Sequence, residues 1–493
     1  MNRKGFVLFS RWFSLILISI TILITGLQLI QYSRVRNSYP KGMTIAGVPV
    51  GGLSQDESAE RLIKAYGIPV ELLYDDAIIH MRPSTAGFEL DLEGMLAAAS
   101  AARTTQPFWS EFWNYLWNTY PDPIEIPLRA SMSEERLRVF LTTEISTRYD
   151  RAAQAAMPIP GTTEFVEGDP GRSLDIDRAV ILIEDALQSS SSRVVNLTYR
   201  SIDSGRPAMS LLKVQLQQII DLSGFDGLTE IYLLDLSSGE EVQLAYELGQ
   251  NLEPNISFTA ASTIKIPILV SVYERGPEPM PDHITALIEL MIEQSKNDPA
   301  DTLMQTVLDQ TLGPIYVTDD MKTLGLNNTF LAGHFYFLAP LLRRYETPAN
   351  SREDINTDPD PYNQTTPLDM GMLLADIYYC AEKNGGTLRA VFPETITQAE
   401  CQQMIDYLTL NDILALTQAG LPSGVEFAHK HGWITEGDGY LHTMGDAGIV
   451  FSSGGDYVVV IFMYQPVQLI YDPANIIFAD LSRAIYNYFN LTQ

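Results

Sequence analysis

Residues Trp12 to Ile30 carry no charged side chain, and that run constrains this chain more than any other feature. In lipid an unpaired backbone N–H or C=O costs several kcal/mol, so such a run crosses a membrane only as a helix that pairs its own backbone. A span needs about 20 apolar residues, which the run just supplies. Arg3, Lys4 and Arg11 precede it and Arg34 and Arg36 follow, a small bias toward an inside N-terminus. A cleaved signal peptide would have a shorter apolar core and a small-x-small cleavage site. After Ile30 the chain reads Gln-Tyr-Ser-Arg-Val-Arg, which offers none. The expectation is an uncleaved signal anchor with membrane contact through residues 12–30. Residues 1–38 form the cytoplasmic stub and anchor, and everything after Tyr39 lies outside the cytoplasm.

Charge and composition then remove several classes of function. Asp and Glu number 61 against 32 Lys and Arg, a net charge of −29. Tracking phosphates needs a basic face, so a nucleic-acid partner is not expected. With 46 % hydrophobic and 19 % charged residues, the chain can bury real cores. Its only cysteines, Cys380 and Cys401, exclude a disulfide scaffold and a cysteine-rich zinc site. They fall near the facing ends of two expected helices, where they form either a disulfide or two buried thiols. The histidines lack HExxH spacing. Asp354-Ile-Asn356-Thr-Asp358-Pro-Asp360 has acids at calcium-loop spacing, but no Gly at the sixth position and no acid at the twelfth. Gly168-Asp-Pro-Gly-Arg lacks the Lys-Ser/Thr of a phosphate loop. Neither metal nor cofactor is expected.

Residues 39–205 read as a small α+β domain. Ile45–Val50 is a strand candidate ending in Gly51-Gly52, and Ser54-Gln-Asp-Glu57 is a capping box opening a helix through Tyr66. Val70–Tyr74 and Ala77–Met81 flank Asp75-Asp76 as a hairpin. Gly87-Phe-Glu-Leu90-Asp91 and Gly171-Arg-Ser-Leu174-Asp175 form a weak repeat, each Asp a plausible N-cap of the helix that follows. Trp109, Trp113 and Trp117 recur every four residues, one stripe of a helix. Packing into a core is the preferred reading of that stripe; contact with a membrane interface or with glycan is the alternative. Through Ile45-Ala-Gly-Val-Pro-Val-Gly-Gly-Leu-Ser54, the helix after it and the Gly-x-x-Leu-Asp pattern, the region resembles the peptidoglycan-binding modules of the YoaR-like kind. The resemblance implies peptidoglycan as a partner of this domain.

Arg200–Pro207 is a polar linker, and a second domain spans residues 206–493. Leu211 to Ile220 give a helical apolar face. Ile231–Leu236 and Val242–Tyr246 read as a hairpin, followed by a mostly helical stretch from Ser262 to about Leu416. Val425–His431, His442–Phe451 and Tyr457–Tyr464 read as strands, and about Pro473–Tyr488 as a final helix. Strands at both ends with helices between them imply a sheet whose ends meet, faced by a helical subdomain.

Ser262-Thr-Ile-Lys265 places a hydroxyl and an ammonium on one face of a helix. A serine hydroxyl is a poor nucleophile until a neighbouring base takes its proton, and a desolvated lysine can do so. Taken alone, the pair reads equally as an N-cap serine and a snorkelling surface lysine. Ser295-Lys296-Asn297 and Lys430-His431-Gly432 follow in order. Ser-x-x-Lys, Ser-x-Asn, Lys-x-Gly is the order found in penicillin-recognising serine acyltransferases. Together with Phe258–Leu269, Thr365-Thr366-Pro367 and Gly445–Val450, these motifs resemble the class A β-lactamases and their serine-hydrolase relatives over about residues 208–493.

That resemblance implies an α+β fold of the β-lactamase/transpeptidase type and a serine hydrolase of β-lactamase type, with turnover open. Ser262 would be acylated, with Lys265 as its base. The backbone N–H groups of Ser262 and Trp433 would receive the oxyanion. Ser295 would pass a proton to the leaving nitrogen, and Asn297 would hold the substrate's amide side chain. Lys430, His431 and Gly432 would meet its carboxylate. Arg344-Tyr-Glu346-Thr-Pro-Ala-Asn350 matches the family's R-x-E-x-x-x-N, making Glu346 the candidate deacylating base. The sequence departs from the family at Lys296, where an acid is usual, at His431, where a hydroxyl is usual, and in an extended loop around Glu346. Two alternatives stay open: a D,D-peptidase-like cell-wall enzyme, and a non-catalytic cell-wall binding protein that keeps the fold.

Overall fold

The computed structural model describes residues 3–105, 107–119, 122–411 and 413–491, with side chains from Arg11 onward. The side chains of Arg3 and Lys4, on which the orientation of the anchor partly rests, lie outside the described ones. The chain forms two compact units, residues 1–153 with 170–203 and residues 154–169 with 204–493.

In the first unit α1 (Arg3–Val35) runs without a break, and its stretch Arg11–Val35 is long and apolar enough to cross a membrane, its most apolar window unburied and Tyr32 near its end buried. The expected strand at Ile45–Val50 is instead a minimal hairpin, Thr44–Ile45 against Val48–Pro49. Ala46 and Gly47 take φ of 52° and 70° at its two-residue turn, the left-handed pair that matches strand twist. α2 (Gln55–Tyr66) begins at the capping box of Ser54 and Glu57. β1 (Val70–Tyr74) pairs β2 (Ala77–Met81) as the expected hairpin. α3 (Leu92–Arg103) and α5 (Ile176–Gln188) open on Asp91 and Asp175, whose carboxylates accept from the N–H groups of Gly94 and Arg178. Between them α4 (Phe108–Leu116) departs from the preferred reading: Trp109, Trp113 and Trp117 are 69, 61 and 69 % exposed. The helix buries Phe112 instead, on its other side.

The second unit is built on six antiparallel strands. β3 (Leu228–Asp235), β4 (Glu241–Glu247), β5 (Gln250–Leu252), β6 (Glu426–Thr435), β7 (Leu441–Phe451) and β8 (Tyr457–Tyr464) lie in the order β5-β4-β3-β8-β7-β6. The first and last long strands pair in the middle, Ile231 opposite Ile461, so the ends of the unit do meet. Side chains alternate between faces along a strand. Ile231, Leu233, Val459 and Ile461 pack with Leu212, Leu216, Phe478 and Leu481 of the flanking terminal helices. Tyr232, Val458, Val460 and Phe462 pack against the helical subdomain. β6, the strand bearing Lys430, is left at the edge.

Within the helical subdomain the chain between Pro367 and Lys383 forms one buried helix, and Gln398–Thr409 another. Cys380 and Cys401 join them in a disulfide, both side chains fully buried, 21 residues apart in sequence. Closing a loop of that size restricts the unfolded chain by about 3 kcal/mol. Replacing both cysteines by alanine is expected to lower unfolding free energy by about 2–4 kcal/mol, read from urea denaturation of the oxidised parent and the variant.

Candidate active site

Ser262 lies in a single 3-10 turn, Ala261–Ile264, that runs into the buried helix Lys265–Arg275. Ala261 has φ of 46°, a left-handed conformation that costs a non-glycine residue roughly 1–2 kcal/mol and turns the chain sharply into the helix. Ser262 makes no side-chain cap, so the N-cap reading does not hold. Lys265 is fully buried, so it is no surface lysine. Its Nζ donates to Ser262 Oγ at 3.0 Å, to Asn297 Oδ1 at 3.0 Å, to Ser295 Oγ at 3.3 Å and to the Ser295 carbonyl. Ser295 is itself left-handed, φ 54°, and its hydroxyl and carbonyl both reach Lys265.

An ammonium has three protons and no lone pair, while Lys265 Nζ has four oxygens around it. One of them must turn from acceptor to donor once the amine is neutral, and a serine hydroxyl can. Burial lowers the Lys265 pKa to about 7, opposed only in part by the carboxylate of Asp301. Near neutral pH the amine is therefore available as a base beside a half-exposed hydroxyl.

Lys430 and Gly432 share one face of β6, and Gly432 makes the closest approach to the turn. A Cβ built there would lie 2.8 Å from Ser262 N and 2.9 Å from both Ala260 O and Thr263 N. Only glycine lets the edge strand close on that turn. Lys430 is fully buried. Burial and the charge on Lys265 bring its pKa down to about 7. The carbonyls of His429 and His431 accept from Asn411 Nδ2 at 3.3 Å and Lys430 Nζ at 3.3 Å. Odd-numbered residues of β6 thus turn their backbone groups toward the open edge, and Trp433 has that parity.

The side chain of His431 falls on the opposite face of β6 from Lys430. Its ring lies 4.6 Å from Trp433, and its Nδ1 pairs with Asn411 Nδ2 at 3.1 Å. Burial, then the charge of Lys430, lowers its pKa to about 3, so it stays neutral. Glu346 is exposed and has no hydrogen bond or ion pair with Ser262, Lys265, Ser295 or Asn297. The structure thus gathers Ser262, Lys265, Ser295 and Asn297 into one hydrogen-bonded cluster, with Gly432 and Lys430 beside it, and leaves Glu346 outside. Lys296 is exposed.

Two buried acids were not read as part of the site. Asp301, four residues after Asn297 on one helix, accepts from Phe335 N at 2.8 Å and is the carboxylate nearest in effect to Lys265. The Phe335 ring it positions lies 5.7 Å from Lys265 Nζ. Asp446, fully buried in β7, accepts from Thr417 N at 3.2 Å and pairs with His429 Nδ1 at 2.8 Å. The i, i+4 spacing of Asn297 and Asp301 was a usable signal for the first. Nothing in the sequence marked the second as a partner of His429.

Residues 283–489 match a family model described as the Beta-lactamase enzyme family, so the C-terminal part of the chain is β-lactamase-like. The matched segment holds Ser295, Asn297, Lys430 and Gly432, and begins after Ser262 and Lys265. No curated protein matches the chain. Among solved structures, a PBP-A mutant in an acyl-enzyme complex with penicillin G is 20 % identical, covering 58 % of this chain and 98 % of its own, with a TM-score of 0.41. An ancestral class A β-lactamase is 22 % identical over 56 % of this chain and 98 % of its own, TM-score 0.39. A β-lactamase from Sphaerobacter thermophilus is 18 % identical over 56 % and 98 %, TM-score 0.40.

Proposed function

We propose that this chain is a membrane-anchored, extracytoplasmic serine hydrolase that acylates Ser262 on a β-lactam or a related amide and then hydrolyses the acyl-enzyme. The observation that carries the proposal is the fully buried Lys265, with its pKa near 7 and its Nζ 3.0 Å from Ser262 Oγ. Neutral Lys265 takes the Ser262 proton as Oγ bonds to the carbonyl carbon. The oxyanion forms against the N–H groups of Ser262 and Trp433, preset donors that need no reorganisation. The C–N bond then breaks, and Ser295 protonates the leaving nitrogen and regains a proton from Lys265. Asn297 orients the substrate's amide side chain, while Lys430 and Gly432, with His431 behind them, line the carboxylate's place. The helix Arg11–Val35 and the disulfide, which needs an oxidising compartment, favour an anchored protein facing outward. Residues 39–205 serve as a peptidoglycan-binding module, a reading that rests on sequence resemblance.

A second reading is a D,D-peptidase-like enzyme with a cell-wall peptide substrate, and the exposure of Glu346 favours it. On this reading no base activates water, and the acyl-enzyme persists. Intact-mass spectrometry of the purified protein with a penicillin, run beside a hydrolysis assay, separates the readings. A transient adduct that disappears as product accumulates is the expected result. An adduct that persists for hours means the peptidase-like enzyme. Absence of any adduct, with Ser262→Ala behaving like the parent, means a binding protein.

The two lysines also fix a pH profile. Lys265 acts as base only when deprotonated, so acylation rises with pH through about 7. Lys430 binds a carboxylate only when charged, so binding fails as pH rises past about 7. Like charges this close titrate as a pair, and the reactive form carries one proton between them. A bell centred near neutrality is expected for the second-order acylation rate. Lys430→Arg, which keeps its charge, should remove the alkaline limb.

A further inference from the structure

We propose that α4 is a membrane-surface helix whose exposed tryptophans, Trp109, Trp113 and Trp117, insert into the interfacial layer of the bilayer that α1 crosses. The proposal rests on reading α1 as a membrane span. Tryptophans at i, i+4 and i+8 lie on one helix face, and all three are exposed. Single exposed apolar residues are ordinary, but three indoles in a stripe are not.

The other side of α4 says where this face sits. Phe108, Phe112 and Tyr115 surround the ring of Tyr32, with centroids 5.4, 5.4 and 5.3 Å away. Tyr32 Oη donates to Glu111 Oε2 at 2.8 Å, and Arg36 Nε donates to the same oxygen at 3.2 Å. The Arg36 guanidinium covers the Phe108 ring at 4.8 Å. α4 is therefore clamped to the last turn of α1, beginning two residues after the uncharged run ends at Ile30. Two residues of helix rise roughly 3 Å, which puts α4 at headgroup depth. Arg34, exposed on that same last turn, suits an anionic headgroup. Indole combines an apolar body with an N–H donor and concentrates at this layer. A glycan would instead want a concave site with convergent polar groups, whereas the stripe continues into partly exposed Leu116 on a convex helix.

The test uses the full chain in vesicles of mixed neutral and anionic lipid, with or without bromine on the acyl chains near the headgroups. The chain has five tryptophans. Trp12→Phe with Trp433→Phe leaves only the α4 indoles as reporters. Replacing Trp109, Trp113, Trp117 and Trp433 by Phe leaves only Trp12. Both proteins should keep the parent's circular dichroism, since Phe preserves an apolar ring. Loss of α4 emission in brominated vesicles, and a blue shift relative to detergent-free buffer, is the expected result. Quenching of Trp12 without quenching of α4 overturns the proposal and leaves the anchor standing. Quenching of neither overturns both. An α4 emission change caused by soluble glycan strands, with none caused by brominated lipid, assigns the stripe to the cell wall and overturns the proposal.

Discussion

Lys265→Met is expected to slow acylation of Ser262 by a penicillin by about 10³-fold, the usual scale for loss of a positioned base. The same substitution should raise stability near pH 7. Methionine fills a similar volume without a charge, and the charge is what the site must desolvate. The sign follows from linkage. The folded pKa of Lys265 is about 7, far below its unfolded value of about 10.4. Below pH 7 both states hold the proton and the folded state bears the full cost of burying it. Between about pH 7 and 10.4 the unfolded state alone holds the proton, so parental stability climbs with pH. The variant should lack that part of the climb. Denaturation midpoints at pH 6 and pH 9, measured beside stopped-flow acylation, check both halves. Lys265→Arg separates charge from basicity: it keeps the cation, cannot serve as base, and should be as inactive as the methionine variant without its gain in stability.

Gly432→Ala is expected to be the other severe change. The new methyl carbon would meet three backbone atoms at 2.8 to 2.9 Å, so no side-chain rotation relieves it. The edge strand must move off the turn that bears Ser262, widening the gap that the proposed reaction uses for its oxyanion. Losing one aimed donor costs about 10²–10³ in rate, and forcing a carbon into a packed contact costs about 1–3 kcal/mol. Acylation kinetics together with a thermal melt would show both. A variant with parental kinetics would mean that Gly432 does not set this gap.

Much of the second unit was legible because its signals are long and periodic. Its strands and final helix follow apolar patterns that a two-sided core requires, and the sheet ends meet as that order implies. The cluster around Lys265 was legible for a different reason: three short motifs in one order name the groups that meet. The rest depended on tertiary placement. Alternation along β6 puts His431 behind Lys430, and the strand's faces could not be assigned before the sheet was known. The R-x-E-x-x-x-N match chose Glu346 by spacing, yet spacing says nothing about where a loop of this length carries its acid. The tryptophan stripe was read as core because most such stripes are core. The same helix has a second aromatic set, and Tyr32, 79 residues before Glu111 of that helix, decides which set is buried.

The pairing of β3 with β8 at the middle of the sheet has a consequence for biogenesis. Strand 228–235 has no central neighbour until residue 464 has been synthesised, since everything between belongs to the outer strands or to the subdomain. Closure of the sheet therefore waits on synthesis of nearly the whole unit, because its central contact is long-range. On the proposed outward topology the polypeptide would cross the membrane with this sheet still open, and Ser262, Lys265 and Lys430 would first meet on the far side, away from cytoplasmic amides.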